Sequence, residues 1–450
     1  MATKTEDLGA LRVGQTVRIG FAFLSICAFW QLYNNIVPLI LTGTFHLGET
    51  ISGVIMAADN VLGLFLLPLF GTISDKCKSR MGRRKPFVLF GTIAAVVLMV
   101  LIPLIDNSYF ANPSAGKKIL FIAVLGALLV AMGTYRSPAV ALMPDLTPKA
   151  KRSQGNAIIN LMGAIGGIIY LGLAAVLYPA SKTEGLEHVN YMLLFLLVAG
   201  IMIAALIILM ITVNETKVMK EMEEYEKMHP EENLAVDDGS GNEVLPAAVK
   251  KSLIFLLFSV ALWFVSYNAV ETWFTKFAEV TWGKGIGGAS TCLLIANAGA
   301  IISYIPVGVI SGKIGRKKSI LGGIIIMTCC YLFGLWFTST HDHFAPLLYA
   351  IFALIGMGWA AINVNSLPMV LEMCKGSDVG KFTGYYYTFS MTAQTITPIL
   401  CGFLLEHIGY NIYFIYAAAF MIFAFCTMIF VKHGDAKVGK TGLEAFDVDD

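Results

Sequence analysis

The sequence predicts an all-α membrane protein, with twelve transmembrane helices in two pseudo-symmetric six-helix bundles. Three observations carry that expectation. Hydrophobic residues make up 57% of the 450 and charged residues only 14%, against roughly 45–50% and 25% in soluble chains. The apolar residues fall in runs of about 20 or more, long enough to cross a hydrocarbon core of roughly 30 Å. Landmarks of the first half also return, in the same order, in the second. A soluble fold has too little charge here to cover so much apolar surface. The runs do not alternate as barrel strands of about 10 residues would. Helices are then the way to satisfy every backbone N–H and C=O inside lipid.

Twelve runs follow one another along the chain. The first six are approximately Val17–Leu41, Thr50–Thr72, Pro86–Ile105, Ile119–Met143, Gln154–Leu177 and Tyr191–Val213. The second six are approximately Leu253–Phe277, Ala289–Ser311, Ser319–Phe337, Ala345–Val370, Phe382–Leu405 and Tyr410–Val431. Residues 1–213 thus read as one bundle and 252–450 as a second bundle with a cytoplasmic tail. The polar stretch 214–251, ending in Asp237-Asp238-Gly239-Ser240-Gly241, reads as a cytoplasmic linker with a short surface helix around Lys217–Met228. The first run is too long for a cleavable signal and lacks a small-residue exit. Six of the eight cysteines lie inside apolar runs and no CxxC pair occurs, so they read as packing residues. No metal site and no cofactor are expected.

Lys and Arg placement sets the orientation. With the N-terminus in the cytoplasm, about 26 of the 32 basic residues fall on that side. Lys117, Lys118, Lys182 and Lys284 fall outside, and Arg136 and Lys276 within spans. Both termini are therefore placed in the cytoplasm.

The repeat is specific. Trp30-Gln31-Leu32-Tyr33-Asn34-Asn35 of span one is answered by Trp263-Phe264-Val265-Ser266-Tyr267-Asn268 of span seven. Gly71-Thr72-Ile73-Ser74-Asp75 and the loop Gly82-Arg83-Arg84-Lys85 are answered by Gly308-Val309-Ile310-Ser311-Gly312 and Gly315-Arg316-Lys317-Lys318. Met132-Gly133 matches Met357-Gly358. A parallel six-plus-six repeat is one of the architectures of secondary transporters.

Ionisable groups inside the apolar runs cost several kcal/mol or more, so each implies a partner or a purpose. Asp59 of span two and Arg136 of span four form the expected couple: Asp59 as the proton site and Arg136, which cannot release a proton, as counter-ion or hydroxyl binder. Glu271 of span seven is the second candidate coupling carboxylate, while Lys276 sits where it can snorkel to the interface. Amides at Gln31, Asn34, Asn35, Asn268, Asn363 and Asn365, with rings at Trp30, Tyr33, Trp263, Tyr267 and Trp359, suit a polyol. The competing reading is that such amides join helices to one another. No metalloprotease, nucleophile-elbow or P-loop motif appears, so an enzyme is not expected.

Gly71-Thr72-Ile73-Ser74-Asp75 followed by Gly82-Arg83-Arg84-Lys85-Pro86-Phe87 resembles the signature after span two of plant sucrose transporters and their bacterial relatives. The segment Tyr135-Arg136-Ser137-Pro138-Ala139-Val140-Ala141-Leu142-Met143-Pro144-Asp145 is similar to the end of span four in that group. The resemblance extends to the glycoside–pentoside–hexuronide:cation symporter family within the major facilitator superfamily. It implies alternating-access import of a di- or oligosaccharide or glycoside with a cation, in the plasma membrane and as a monomer. Melibiose-permease-like members carry two Asp residues one turn apart in span two; only Asp59 stands here, which favours H+ over Na+. The resemblance places spans one, four, seven and ten around the substrate, making Gln31, Tyr33, Asn34, Asn35, Arg136, Tyr267, Asn268, Trp359, Asn363 and Asn365 the expected sugar contacts. It assigns Gly71, Asp75, Arg83, Arg84 and Asp145 to gating at the cytoplasmic ends, with Gly312 in place of Asp75 in the second half. The expected partners are the sugar, the cation and the bilayer, with no nucleic acid. An exporter, a lipid or drug carrier, and a non-transporting sugar sensor on the same fold are the alternatives.

Overall fold

The structure, a computed structural model, describes residues 12–147, 152–183, 185–228, 246–341, 343–373 and 379–435. The linker sequence Asp237–Gly241, Cys374 and the tail from residue 436 lie outside the described residues. Among the described residues, twelve helices are long and apolar enough to cross a bilayer. Span one runs Val13–Leu39 and continues as a π-helical turn over Ile40–Thr44. Spans two to six are Glu49–Asp75, Lys85–Ala111, Ala115–Asp145, Arg152–Leu177 and Met192–Thr212. A surface helix, Glu215–Met228, follows. Spans seven to twelve are Ala247–Trp282, Ile286–Ile314, Arg316–Thr340, Leu347–Leu371, Val379–Ile408 and Ile412–Ile429.

The helices outrun the apolar stretches because polar residues continue the turns. Span three, expected to end at Ile105, takes in Asp106-Asn107-Ser108-Tyr109 before it stops at Ala111. Span seven extends to Trp282 and is closed by Gly283 at φ 60°.

The chain divides into two compact units. Unit 1 comprises Met1–Leu47, Ala58–Leu177 and Gly185–Val236; unit 2 comprises Gly48–Ala57, Tyr178–Glu184 and Asp237–Asp450. The opening turns of span two therefore pack with the second unit. There Thr50 N–H donates to Glu406 Oε2 at 2.7 Å and the Tyr410 hydroxyl donates to Glu49 Oε1 at 2.7 Å.

Within each unit, small residues let helices meet backbone to backbone. In unit 1 a Cβ at Gly166 of span five would lie 2.0 Å from the Leu24 carbonyl oxygen of span one. In unit 2 a Cβ at Gly356 of span ten would lie 1.8 Å from the Ala296 carbonyl oxygen of span eight. The cores are apolar and aromatic, with Tyr33, Phe121, Tyr135 and Tyr170 buried in unit 1 and Trp263, Trp273, Tyr331 and Tyr413 in unit 2.

Local geometry refines the repeat. Ser74 Oγ donates to the Gly71 carbonyl at 2.8 Å, and Ser311 Oγ to the Gly308 carbonyl at 3.0 Å. With the offset of that sequence pair, Asp59 is the counterpart of Ala296. The Met132-Gly133 and Met357-Gly358 likeness is not a structural match. Gly133 faces Leu66 of span two, whereas Gly358 faces Gly323 and Met327 of span nine. The span-four residue packed on Gly91 of span three is Tyr135, whereas Gly323 of span nine meets Gly358, Ala361 and Ile362. The loop-arginine pairs, Arg83 and Arg84 with Asp145 and Arg316 with Glu372, make Asp145 the counterpart of Glu372, two residues away from the glycine match. By the same offset Arg136 is the counterpart of Asn363.

Candidate functional site

In unit 1 Asp59 and Arg136 lie near each other. Asp59 on span two acts electrostatically on the Arg136 guanidinium of span four and on the Tyr33 hydroxyl of span one. Asn60 Nδ2 donates to Asp59 Oδ1 at 2.9 Å. The Arg136 guanidinium carbon lies 5.5 Å from the centroid of the Trp30 ring, so the ring's negative face meets the cation. Trp30 in turn stands edge-on to Phe29 and Tyr33, at 5.1 and 5.5 Å between centroids. Asp59, Arg136, Trp30, Gln31 and Asn34 are half-buried, and the Trp30 indole N–H is buried without a hydrogen-bond partner among the described residues. A carboxyl group, a fixed cation and a ring with a spare donor are thus neighbours in the unit.

The amides are not equivalent. Asn35 is wholly buried, and its Nδ2 donates to the Gln31 carbonyl at 2.6 Å and to Gln31 Oε1 at 3.2 Å. Asn365 is buried and donates to the Ala361 carbonyl of its own helix at 2.9 Å. Asn268 Oδ1 accepts from Thr272 Oγ1 at 3.0 Å. These three spend hydrogen-bonding capacity within their own helices. Asn363, by contrast, is exposed and bonds to the Tyr304 hydroxyl of span eight.

Unit 2 offers rings and a carboxyl group. Tyr267 of span seven stacks flat on Trp359 of span ten, 3.8 Å between centroids and 4° between planes. Phe264 meets the edge of Trp359 at 5.3 Å and 90°. Glu271, one turn along span seven, is close enough to act electrostatically on Tyr267. Ser366 and the Tyr386 hydroxyl share a hydrogen bond of 2.9 Å. Trp263, expected among the ligand rings, is wholly buried in the unit's core and packs instead. Lys276 pairs with Glu279 at 2.9 Å, one turn further along its own helix.

At the end of each unit that bears the basic loops, charges interlock. In unit 1 Arg83 Nη2 meets Asp145 Oδ1 at 2.8 Å and Arg84 Nε meets Asp145 Oδ2 at 2.8 Å, while Arg84 also pairs with Asp75. Arg84 is buried, and its Nη1 donates to the Gly71 carbonyl at 3.1 Å. In unit 2 the counterpart is Arg316 on Glu372 at 2.7 Å.

One pair of acids at this end was not singled out from the sequence. Glu215, placed in the linker by its charged neighbours, is completely buried and caps span three. Its Oε1 accepts from the Arg83 and Arg84 backbone N–H at 2.8 and 2.9 Å, and its Oε2 from that of Lys85 at 3.0 Å. Lys85 Nζ returns the favour to the end of span six, donating to the Met210 and Val213 carbonyls at 3.0 and 2.8 Å. Asp435 does the same in unit 2: its Oδ1 accepts from Arg316 N–H at 2.6 Å, and Lys317 Nζ donates to the Ile429 and Val431 carbonyls. The signal available in sequence was an acid shortly after spans six and twelve. Both loops turn on glycines with positive φ, Gly82 at 112° and Gly315 at 96°. A Cβ on either would strike the capping carboxylate.

Comparison with known proteins agrees with this architecture. The family model for MFS/sugar transport protein matches residues 19–431. A sucrose transport protein, SUC3 of Arabidopsis thaliana, is 30% identical over 179 residues, which are 37% of this chain and 29% of that protein. A gentisate transporter of Corynebacterium glutamicum is 23% identical over 89% of this chain and 83% of its own length. Among solved structures, the inward-open xylose transporter XylE from E. coli aligns with a TM-score of 0.65 at 15% identity, covering 95% of this chain and 98% of that one. At that identity the likeness is one of fold.

Proposed function

From the premise that this chain belongs to the MFS/sugar transport protein family, we propose that it imports a di- or oligosaccharide or a glycoside by symport with H+ through alternating access. It is a transporter and not an enzyme. In this reading both termini lie in the cytoplasm, the membrane is the plasma membrane, and the monomer is the working unit. The observation that supports it best is the Asp59–Arg136 couple, a carboxyl group and a permanent cation near enough within membrane-spanning helices to interact electrostatically. Protonation of Asp59 frees Arg136 from its counter-charge, so cation loading and ligand binding at Arg136 are coupled through one electrostatic contact. Arg136 and Trp30 supply donors and a ring for hydroxyl groups. Tyr267, Trp359 and Asn363 supply the second set of contacts, and Glu271 is the reserve carboxylate. The ion pairs of Asp75, Arg83, Arg84 and Asp145, with Gly71, act in gating.

The test is uptake of radiolabelled sugars into vesicles holding the purified protein, with and without an imposed pH gradient. A di- or oligosaccharide or glycoside is expected to accumulate only with the gradient. Asp59→Asn should abolish accumulation while leaving exchange of labelled for unlabelled sugar. Accumulation undiminished in Asp59→Asn overturns the coupling assignment. A second reading is favoured by the gentisate transporter, whose similarity runs through most of the chain. Arg136 over the Trp30 ring would suit an aromatic carboxylate equally. Inhibition of sugar uptake by benzoate-type acids, and their own gradient-driven accumulation in place of any sugar, would decide for that reading.

A further inference from the structure

Asp106, near the end of span three farthest from the basic loops, is wholly buried, and neither carboxyl oxygen has a hydrogen-bond partner among the described residues. Thr44, in the π-helical turn that ends span one, is a neighbouring hydroxyl. His188, from the loop between spans five and six, stands with Nε2 at 3.8 Å from Asp106 Oδ2, too far for a hydrogen bond. The His188 ring is engaged elsewhere. Asn107 Nδ2 donates to Asn190 Oδ1 at 2.9 Å, which leaves Asn107 Oδ1 as the acceptor for His188 Nε2–H at 2.8 Å. His188 Nδ1 then accepts a hydrogen bond from the Thr44 hydroxyl at 3.4 Å. This network fits a neutral imidazole, and burial holds the His188 pKa below the usual histidine value. Phe110 stacks on the same ring, 4.4 Å between centroids and 13° between planes.

A bare carboxylate in such a place would be desolvated, with only the neighbouring Thr44 hydroxyl as a donor and no paired cation to offset the cost. The other charged and titratable groups on the surrounding elements do not supply one. Lys117 Nζ is bonded to the Ser108 and Asn112 carbonyls, each at 2.8 Å, and Lys118 Nζ to the Phe45 carbonyl at 2.8 Å, its ammonium also lying over the Tyr109 ring. His46 and Glu187 point to solvent, and Tyr191 begins span six. We propose that Asp106, with His188, Thr44 and Asn107 around it, is a second proton-binding site, separate from Asp59 and on the face opposite the basic loops.

His188 is the route to that site. Its side chain is 11% exposed against 0% for Asp106, so a proton from the bulk reaches the imidazole first and passes to Asp106 Oδ2 when the ring swings across. In that swing the ring gives up its hydrogen bond to Asn107 Oδ1, an N–H bond is exchanged for an O–H bond, and no other covalent bond changes. When the proton leaves, the carboxylate draws a charged His188 off Asn107. That frees the Asn107–Asn190 link, whose Asn190 oxygen also accepts the Met192 N–H at the start of span six. The outer ends of spans one, three and six are thus tied to the pH on that face. The site does not depend on which substrate is carried.

Infrared difference spectra of the full-length protein in phosphatidylcholine vesicles, taken across a pH series, test this directly. The protonated-carboxyl absorption should rise as pH falls, and one component band of it should vanish in Asp106→Asn and persist in Asp59→Asn. His188→Phe keeps the stack on Phe110 but removes the one group able to become a cation beside Asp106. It should raise the midpoint of that band by about one pH unit, tenfold in proton affinity. Replacing sodium chloride by choline chloride should change nothing. An unchanged band in Asp106→Asn, an unmoved midpoint in His188→Phe, or titration of the band by sodium would each overturn the proposal. The His188→Phe arm stands even if Asp106→Asn fails to fold.

Discussion

The two halves share a chain path but not the use of one interface, that of span two with span four and of span eight with span ten. In unit 2 the interface is built from small residues: Gly356 presses against the Ala296 carbonyl, and Asn363 binds the Tyr304 hydroxyl. In unit 1 the matching places hold a larger residue and two charges. Leu129 stands opposite Gly356, Asp59 opposite Ala296 and Arg136 opposite Asn363. Close backbone packing and a charged couple exclude each other at one depth, because a carboxylate and a guanidinium need room and partial hydration. At the depth of Asp59 and Arg136, unit 2 is the tightly packed half of this interface and unit 1 the charged half, although unit 1 also packs closely elsewhere along it, Gly133 on Leu66 and Gly71 on Ser137. The rule this teaches is local: in a repeated bundle, the half that departs from small-residue packing is where to look for ion chemistry.

The sharpest way to break that comparison is to impose the pattern of one half on the other. Asp59→Ala leaves Arg136 as an uncompensated charge within the helices, at a cost of about 3–5 kcal/mol. This should be read as a large drop in the thermal midpoint of the detergent-solubilised protein. Adding Arg136→Asn, which gives unit 1 the residues of unit 2, should recover most of the lost stability. Both variants should fail to accumulate substrate. A stable single variant, or a double variant that accumulates, would show that the two residues are not a couple.

Much of this contrast was legible in the sequence. Asp59 and Arg136 stood out because charge inside an apolar run is costly wherever the helix faces. The amides were less legible, since an asparagine that bonds to a ligand and one that bonds back to its own helix look alike in a chain. Asn35 and Asn365 turned out to do the second, and Trp263 disappeared into the core while Trp359 received Tyr267. Glu215 and Asp435 were hidden for a different reason. Their partners are backbone N–H groups more than a hundred residues away, and backbone donors leave no mark on composition. Asp106 fell just beyond the expected end of span three, at Ile105, where a polar residue reads as the start of a loop.

The capping acids sharpen the comparison at the basic loops. Glu215 is buried and accepts three backbone N–H groups, whereas Asp435 is half-buried and accepts two, at 2.6 and 3.3 Å. A carboxylate at a helix N-terminus contributes up to about 2 kcal/mol in partly buried geometry. Glu215→Gln should therefore cost about 2 kcal/mol and Asp435→Asn about 1 kcal/mol, each measured as denaturant stability in detergent. Equal losses would mean that exposure does not weaken the second cap.

The smallest effect separates the glycines that open the same loops. At Gly308 a Cβ would meet nothing within 4 Å, whereas at Gly71 it would approach Ser137 Oγ to 3.1 Å. That serine donates to the Leu67 carbonyl at 2.7 Å, so it has little freedom to retreat. Replacing a helical glycine by alanine gains about 1 kcal/mol when space allows. Gly308→Ala should show that gain in full, while at Gly71 it should be cancelled or reversed by the crowding of Ser137. A double variant, Gly71→Ala with Ser137→Ala, restores the space and should recover the gain. If Gly71→Ala alone stabilises as much as Gly308→Ala, spans two and four are not held at the separation that Asp59 and Arg136 require.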